Sequence, residues 1–189
     1  MDYTALIDHY IPSCQQEEND RLVILDLIRH YGKNILTRNV ASAHITSSGF
    51  IFNSGLTKVL MVHHNIYRTW AWTGGHADGD GDLLQVALKE AAEETGVTDV
   101  CPLFHEPVSL DILPVLGHIK NGRYVSAHLH LSVAFALTAR EDSPLQVKAD
   151  ENSGVQWIDL QKLGQYTSEP YMLEVYKKII LKSKILEII

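Results

Sequence analysis

The segment GGHADGDGDLLQVALKEAAEETGV, residues 74–97, crowds three carboxylates, Glu90, Glu93 and Glu94, onto about one helical turn between glycines. At roughly 100° per residue they fall within one arc of about 100°. Glu90 and Glu94 form a like-charge i,i+4 pair, and acids near a helix C-terminus also oppose the macrodipole, so the arrangement destabilises an isolated helix. Two readings of this crowding are open. One is a solvated acidic face on which Lys89 pairs with Glu93 at i,i+4. The other is a set of hard oxygen ligands for a divalent cation, Mg²⁺ or Mn²⁺, which would supply the missing counter-charge.

The helix carrying these acids has recognisable ends. Asp82 can cap it with Gln85 at N3, and Gly96 can stop it in the left-handed conformation, which predicts a helix over about 83–95. Leu84, Leu88, Ala91 and Thr95 then form the face that packs inward. Before it, HITSSGFIFN and TKVLMVHH flank the turn signal Asn53-Ser54-Gly55, which predicts a hairpin. After it, YVSAHLHLSVAFAL alternates Val125, Ala127, Leu129, Leu131, Val133, Phe135 and Leu137 with Tyr124, Ser126, His128, His130 and Ser132, which predicts one long strand with a core face and a polar face. Asn121-Gly122 predicts a tight turn pairing that strand with LDILPVLGHIK, where Pro114 marks an edge or a bulge. A short strand, GVQWI, precedes DLQKL, and a final helix is expected from near Ser168 with Pro170 in its first turn.

The first 38 residues read as helical with a break at Pro12. Ser13 and Gln16 form a capping-box pair, Gly32 is a stop, and Leu22, Leu25 and Ile28 share a stripe. The organisation expected is therefore a helical extension over 1–38 and a main domain over 39–189 that includes the C-terminal helix, whose apolar residues could serve a homodimer interface.

Composition limits the partners. The chain has 189 residues, 46% of them hydrophobic, and a net charge of −7. With no Lys/Arg-rich arm, a nucleic-acid polymer is not an expected partner. No apolar run reaches the roughly 18 residues of a membrane span, and the N-terminus lacks a signal-peptide pattern, so no membrane partner and a cytoplasmic location are expected. Cys14 and Cys101 are far apart and predict reduced thiols.

Gly75, Glu90, Glu93, Glu94, Gly96 and Val97 resemble the Nudix hydrolase signature, G-x5-E-x7-R-E-U-x-E-E-x-G-U, in which U is a bulky aliphatic residue. Three positions depart from it: Lys89 stands for the arginine, Ala91 for an aliphatic residue and Gly81 for the first glutamate. The likeness runs from about Ala43 to Leu163. It implies an α/β fold, a Nudix-type α/β/α sandwich with a mixed β-sheet, here with added N-terminal helices and a C-terminal helix. It also implies a hydrolase that cleaves the pyrophosphate bond of a nucleoside diphosphate linked to another group, using Mg²⁺ or Mn²⁺. Alternatives on the same fold are a catalytically weak nucleotide-binding module and an isoprenoid diphosphate isomerase.

Carried over by position, Glu93 and Glu94 are the principal metal ligands, Glu90 a further ligand or the group orienting water, and the carbonyl of Gly74 an additional oxygen. Lys89 would hold Glu90 or Glu93, and Glu151, in KADENSGVQW, is the expected general base. His128 and His130 share a strand face and could bind a metal, although the spacing fixes no third ligand, so substrate contact is the favoured reading. With Trp70, His76 and Tyr124, His128 completes the expected substrate-binding set. The substrate expected is a small nucleotide-type diphosphate.

Overall fold

The structure, a computed structural model, describes residues 2–120 and 122–186. Its centre is β1 (Ala43–Asn53), buried along its whole length. Strand β9 (His128–Ala139) runs parallel to it in register from Ala43↔Leu129 to Asn53↔Ala139. On its other side β1 pairs antiparallel with β2 (Lys58–His64) and β4 (Thr73–His76). The hairpin expected around Asn53 is present, and the Asn53 side chain stabilises it by accepting from the amides of Thr57 and Lys58 at 2.8 and 2.9 Å.

Two short strands, β3 (Trp70–Ala71) and β5 (Cys101–Pro102), extend the sheet at β2 and β9. Among the described residues strand β6 (Ser109–Val115) pairs only with β9, so Pro114 sits on an edge, where a residue without an N–H is tolerated. Strand β10 (Asn152–Asp159) closes the opposite edge on β2. The sheet is thus mixed.

Alternate residues along the strands face two cores. Ile45, Ile51, Leu60, Leu131, Val133, Phe135 and Leu137 join the core beneath α1 (Tyr3–Asp8), α2 (Gln15–Tyr31) and α3 (Leu83–Thr95). Phe50, Phe52, Val59, Met61, Ala134 and Ala136 join the core beneath α5 (Pro170–Leu186), which contributes Met172, Val175, Tyr176 and Ile179. A short helix, α4 (Leu163–Tyr166), precedes α5. Among the described residues no helix is long and apolar enough to cross a membrane.

Three local expectations change. The strand expected over 124–137 is broken at 126–127, leaving β8 (Arg123–Val125) to pair with β7 (His118–Lys120) in a separate two-stranded ribbon. Gly122 has φ 74°, as a tight turn requires, while Asn121 lies outside the described residues. From Leu131 to Leu137 both faces of β9 are buried, because helices cover the sheet on both sides. At the start of α2 the cap falls on Cys14, one residue later than expected. The Ser13 amide and hydroxyl instead donate to Glu17 at 2.7 and 2.8 Å. Leu25 and Ile28 are buried, but Leu22 of the same stripe is exposed.

Candidate functional site

The sequence of α3 places its acids as its caps dictate. Asp82 accepts from the Gln85 amide at 3.2 Å, and Gly96 ends the helix at φ 74°. A side chain at Gly96 would strike Gln146, because the segment after β9 lies against this helix end. Two hydrogen bonds hold it there: the Gln146 amide donates to the Thr95 carbonyl at 2.7 Å, and Asn152 Nδ2 donates to the Glu94 carbonyl at 2.9 Å. From the other side Asn65 binds the carbonyls of Ala149 and Glu151. Glu151 is thereby brought beside the acids of α3.

Glu90, Glu94 and Glu151 each bring a carboxylate oxygen within 4.8 Å of the others. Glu94 is 6% exposed and takes a 3.2 Å hydrogen bond from the Gly74 amide. Burial pushes its carboxyl up to about 8, opposed by the Gly74 hydrogen bond and reinforced by Glu90 and Glu151. Burial, and then Glu93, raise Glu90 as well. The two glycines of β4 have separate steric reasons. Glu90 lies directly over Gly75, whose Cβ would sit 2.7 Å from Oε1, and a Cβ at Gly74 would meet Ser48 Oγ at 2.6 Å.

Glu93 stands outside this convergence. Its carboxylate meets Lys148 at 3.2 Å and Lys89 at 3.7 Å. Lys148 also bridges to Glu151 at 3.2 Å, so one ammonium joins the helix to the loop. Its two acidic partners raise its pKa against the effect of desolvation. Lys148 was not singled out by sequence reasoning, although a lysine three residues before the loop glutamate was the available signal. Gly74, expected to offer its carbonyl, touches the cluster through its amide, which donates to Glu94.

A cleft of about 270 Å³ opens between the loop after β4 and the first turns of α3, lined by His76, Asp78, Asp80, Lys89 and Glu90 among others. Trp70 and Tyr124 do not line it. Trp70 packs near His63 and Tyr166, with Gly154 leaving room for its ring. Tyr124 is 71% exposed on the β7–β8 ribbon. His128 does not line it either; it meets His76, at the rim of the cleft, in a group with His44 and His130.

This helix, the glycines before it and the loop acid after it form the pattern by which the chain can be placed. The family model for the NUDIX domain matches residues 43–179. The chain belongs to the Nudix family. No curated protein matches it. Among solved structures, a Nudix-family hydrolase from Clostridium perfringens superposes with a TM-score of 0.55 at 18% identity, covering 76% of this chain and 97% of that one. A C. elegans Ap4A hydrolase binary complex gives 0.51 at 15% identity, covering 77% and 98%. A MutT protein from Methanosarcina mazei Go1 gives 0.50 at 19%, covering 76% and 96%. These likenesses place the chain on the Nudix fold, with α1 and α2 both before residues 43–179.

Proposed function

We propose that this Nudix chain hydrolyses the pyrophosphate bond of a small nucleoside diphosphate linked to another group, with Mg²⁺ or Mn²⁺. The observation that carries this reading is the convergence of Glu90, Glu94 and Glu151 in partial burial without enough positive charge nearby to balance them. An all-oxygen donor set of this kind suits a hard divalent cation. Glu90 and Glu94 would hold it, with Glu93 as an outer acid tied down by Lys89 and Lys148. When bound, such ions neutralise the diphosphate, align it and activate water.

The chain's own groups do the rest. Glu94, fixed by the Gly74 amide and buried, is a rigid ligand. Glu90 keeps its position because Gly75 gives it space. Glu151, with a side chain 43% exposed and oriented by Lys148, can reach a water and accept its proton. His76, Asp78 and Asp80 line the approach beside Glu90.

A hydrolysis panel of ADP-ribose, other sugar nucleotides, dinucleoside polyphosphates and oxidised nucleoside triphosphates, each with Mg²⁺ and with Mn²⁺, tests this reading. At least one compound should be cleaved. Glu151→Gln should lower kcat by about 10² or more with little change in substrate binding, because a general base acts in the transition state. Wild-type protein inert on the whole panel, yet binding one of its members, would favour a nucleotide-binding module.

A further inference from the structure

Four imidazoles from three strands come together on the sheet face opposite α3. His44 of β1 and His130 of β9 are direct neighbours in the parallel ladder. His128 lies two residues before His130 and so points to the same side. His76 of β4 is opposite Thr46, which shares the face of His44. Each ring offers a nitrogen, and the four nitrogens lie within 4.8 Å of one another. Ring centroids are 4.9 Å apart for His44–His76, His44–His128 and His76–His130.

The hydrogen-bond pattern sets which nitrogens face inward. His44 Nδ1 is 3.2 Å from the Val40 carbonyl and His128 Nδ1 is 2.9 Å from the Ser126 carbonyl. A carbonyl only accepts, so both Nδ1 atoms carry the proton and both Nε2 atoms keep a free lone pair. Metal-binding histidines are commonly oriented this way, the outer N–H held by a backbone carbonyl. His44 is 4% exposed, and its Nε2 is buried with no hydrogen-bond partner; His130 Nε2 is in the same state. Each orphaned polar atom of this kind destabilises a fold unless a ligand satisfies it.

The nearby Arg38 is neutralised by a two-pronged pair with Asp78 at 2.9 and 2.7 Å. The four side chains therefore offer a cage of nitrogen donors with no carboxylate among them. That is the wrong chemistry for Mg²⁺ and the right one for a late first-row ion.

We propose that His44, His76, His128 and His130 form a nitrogen-only Zn²⁺ site, separate from the carboxylate cluster. Four ligands at Zn–N distances of about 2.0–2.1 Å make a closed tetrahedral site, which suits a structural role. Tetrahedral geometry at that bond length sets the nitrogens about 3.3 Å apart, so nitrogens now within 4.8 Å of one another must draw in by up to about 1.5 Å, through rotation of rings such as the half-buried His76 and His128. The ion would tie β1, β4 and β9 together. Since β4 carries Gly74 and Gly75, it would also steady the strand on which Glu94 and Glu90 rest. The site stands independently of the hydrolase reading, because it uses none of the three carboxylates.

The test uses full-length protein stripped with EDTA, desalted and titrated with Zn²⁺ alone. Binding is followed by calorimetry, by metal analysis after a second desalting, and by the visible spectrum of the Co²⁺-substituted form. One Zn²⁺ per chain should survive desalting, and Co²⁺ should show the strong absorption of a four-coordinate site. Both should persist in Glu94→Gln. His130→Asn and His128→Asn should each weaken Zn²⁺ by at least about tenfold. His128 supplies a second variant if position 130 does not tolerate change. No retained Zn²⁺ in the wild type, binding indifferent to both histidine variants, or binding abolished by Glu94→Gln would each overturn the proposal.

Discussion

Two places among the described residues bury carboxylates, and they are treated in opposite ways. Glu17, fully buried on α2, receives the Ser13 amide and hydroxyl and lies 3.1 Å from Lys178 Nζ. Asp111 of β6 takes the same ammonium at 2.6 Å. Despite its burial, Glu17 is held below the usual carboxylate range by the Ser13 amide and Lys178. Glu94 is buried almost as deeply, yet its carboxyl is pushed up to about 8, with only the Gly74 amide in direct support. The first cluster is internally neutralised and so behaves as structure. The second is left short of positive charge and is stable as an ionised group only with a cation from outside, which is the signature of a site rather than of a scaffold.

The largest expected effects separate the two clusters most sharply. Glu94→Gln should lower kcat/KM on any cleaved diphosphate by on the order of 10³, about 4 kcal/mol of transition-state stabilisation, without unfolding the protein. Lys178→Met should do the reverse. It strands two buried acids and should reduce unfolding free energy by about 3–5 kcal/mol in urea melts, with kcat of the remaining folded protein little changed. If both variants lost activity and stability together, the contrast would fail.

Next comes cation linkage. With Mg²⁺ or Mn²⁺ at 100 times its dissociation constant the wild type should gain roughly 2.7 kcal/mol, and Glu94→Gln should lose most of that gain. Equal melting temperatures in EDTA and in divalent ion, with substrate analogue present in both, would count against the carboxylate site. The effect of pH should be smaller. Glu94 binds a proton more tightly folded than unfolded, so in EDTA stability should fall as pH rises from about 4.5 to about 8, by a few kcal/mol at most. Glu94→Gln should flatten that slope and be the more stable protein at pH 8. Glu17, whose shift runs the other way, should weaken the fold only when pH drops below the ordinary carboxylate range. A wild-type slope that rises between pH 5 and 8 in EDTA would contradict the assignment for Glu94.

The smallest effect concerns Gly81, where the signature has glutamate. A Cβ there would come no closer than 3.4 Å to Tyr3 Cδ1, an ordinary contact, and Gly81 is not among the positive-φ glycines. Gly81→Glu should therefore fold normally and raise kcat/KM by no more than about tenfold, roughly 1.4 kcal/mol. A variant that hydrolyses a compound on which the wild type is inert would show that Gly81 disables the chain.

The parts of this picture legible in the sequence are those set by local rules. The limits of α3 follow from Asp82 and Gly96, the β1–β2 hairpin from Asn53-Ser54-Gly55, and the edge position of β6 from Pro114. Long-range consequences were not legible. Alternation in β9 marked one buried face, but a helix packed on the second face buries the other, and nothing local to β9 announces α5. His128 and His130 shared a strand face by spacing alone, whereas His44 and His76 join them only through the register of β1 with β9 and with β4. Lys148 likewise acquires its two partners from the folding of the 146–152 segment onto α3.

That central register also carries a kinetic consequence. The partners Ala43↔Leu129 and Asn53↔Ala139 are each separated by 86 positions along the chain. Their ladder is parallel, so no hairpin can seed it, and the intervening loop must close before any of its bonds form. Proteins dominated by such distant pairings fold slowly for their size. During synthesis the β1–β2 hairpin and α3 can form early, whereas β1 must wait for β9 to emerge. Glu151 follows β9, so the complete acid cluster should appear only in the last stage of folding. Until then the edge of β1 that β9 will cover is unpaired, and it is there, beside Phe50, Ile51 and Phe52, that a slowed or interrupted chain should aggregate.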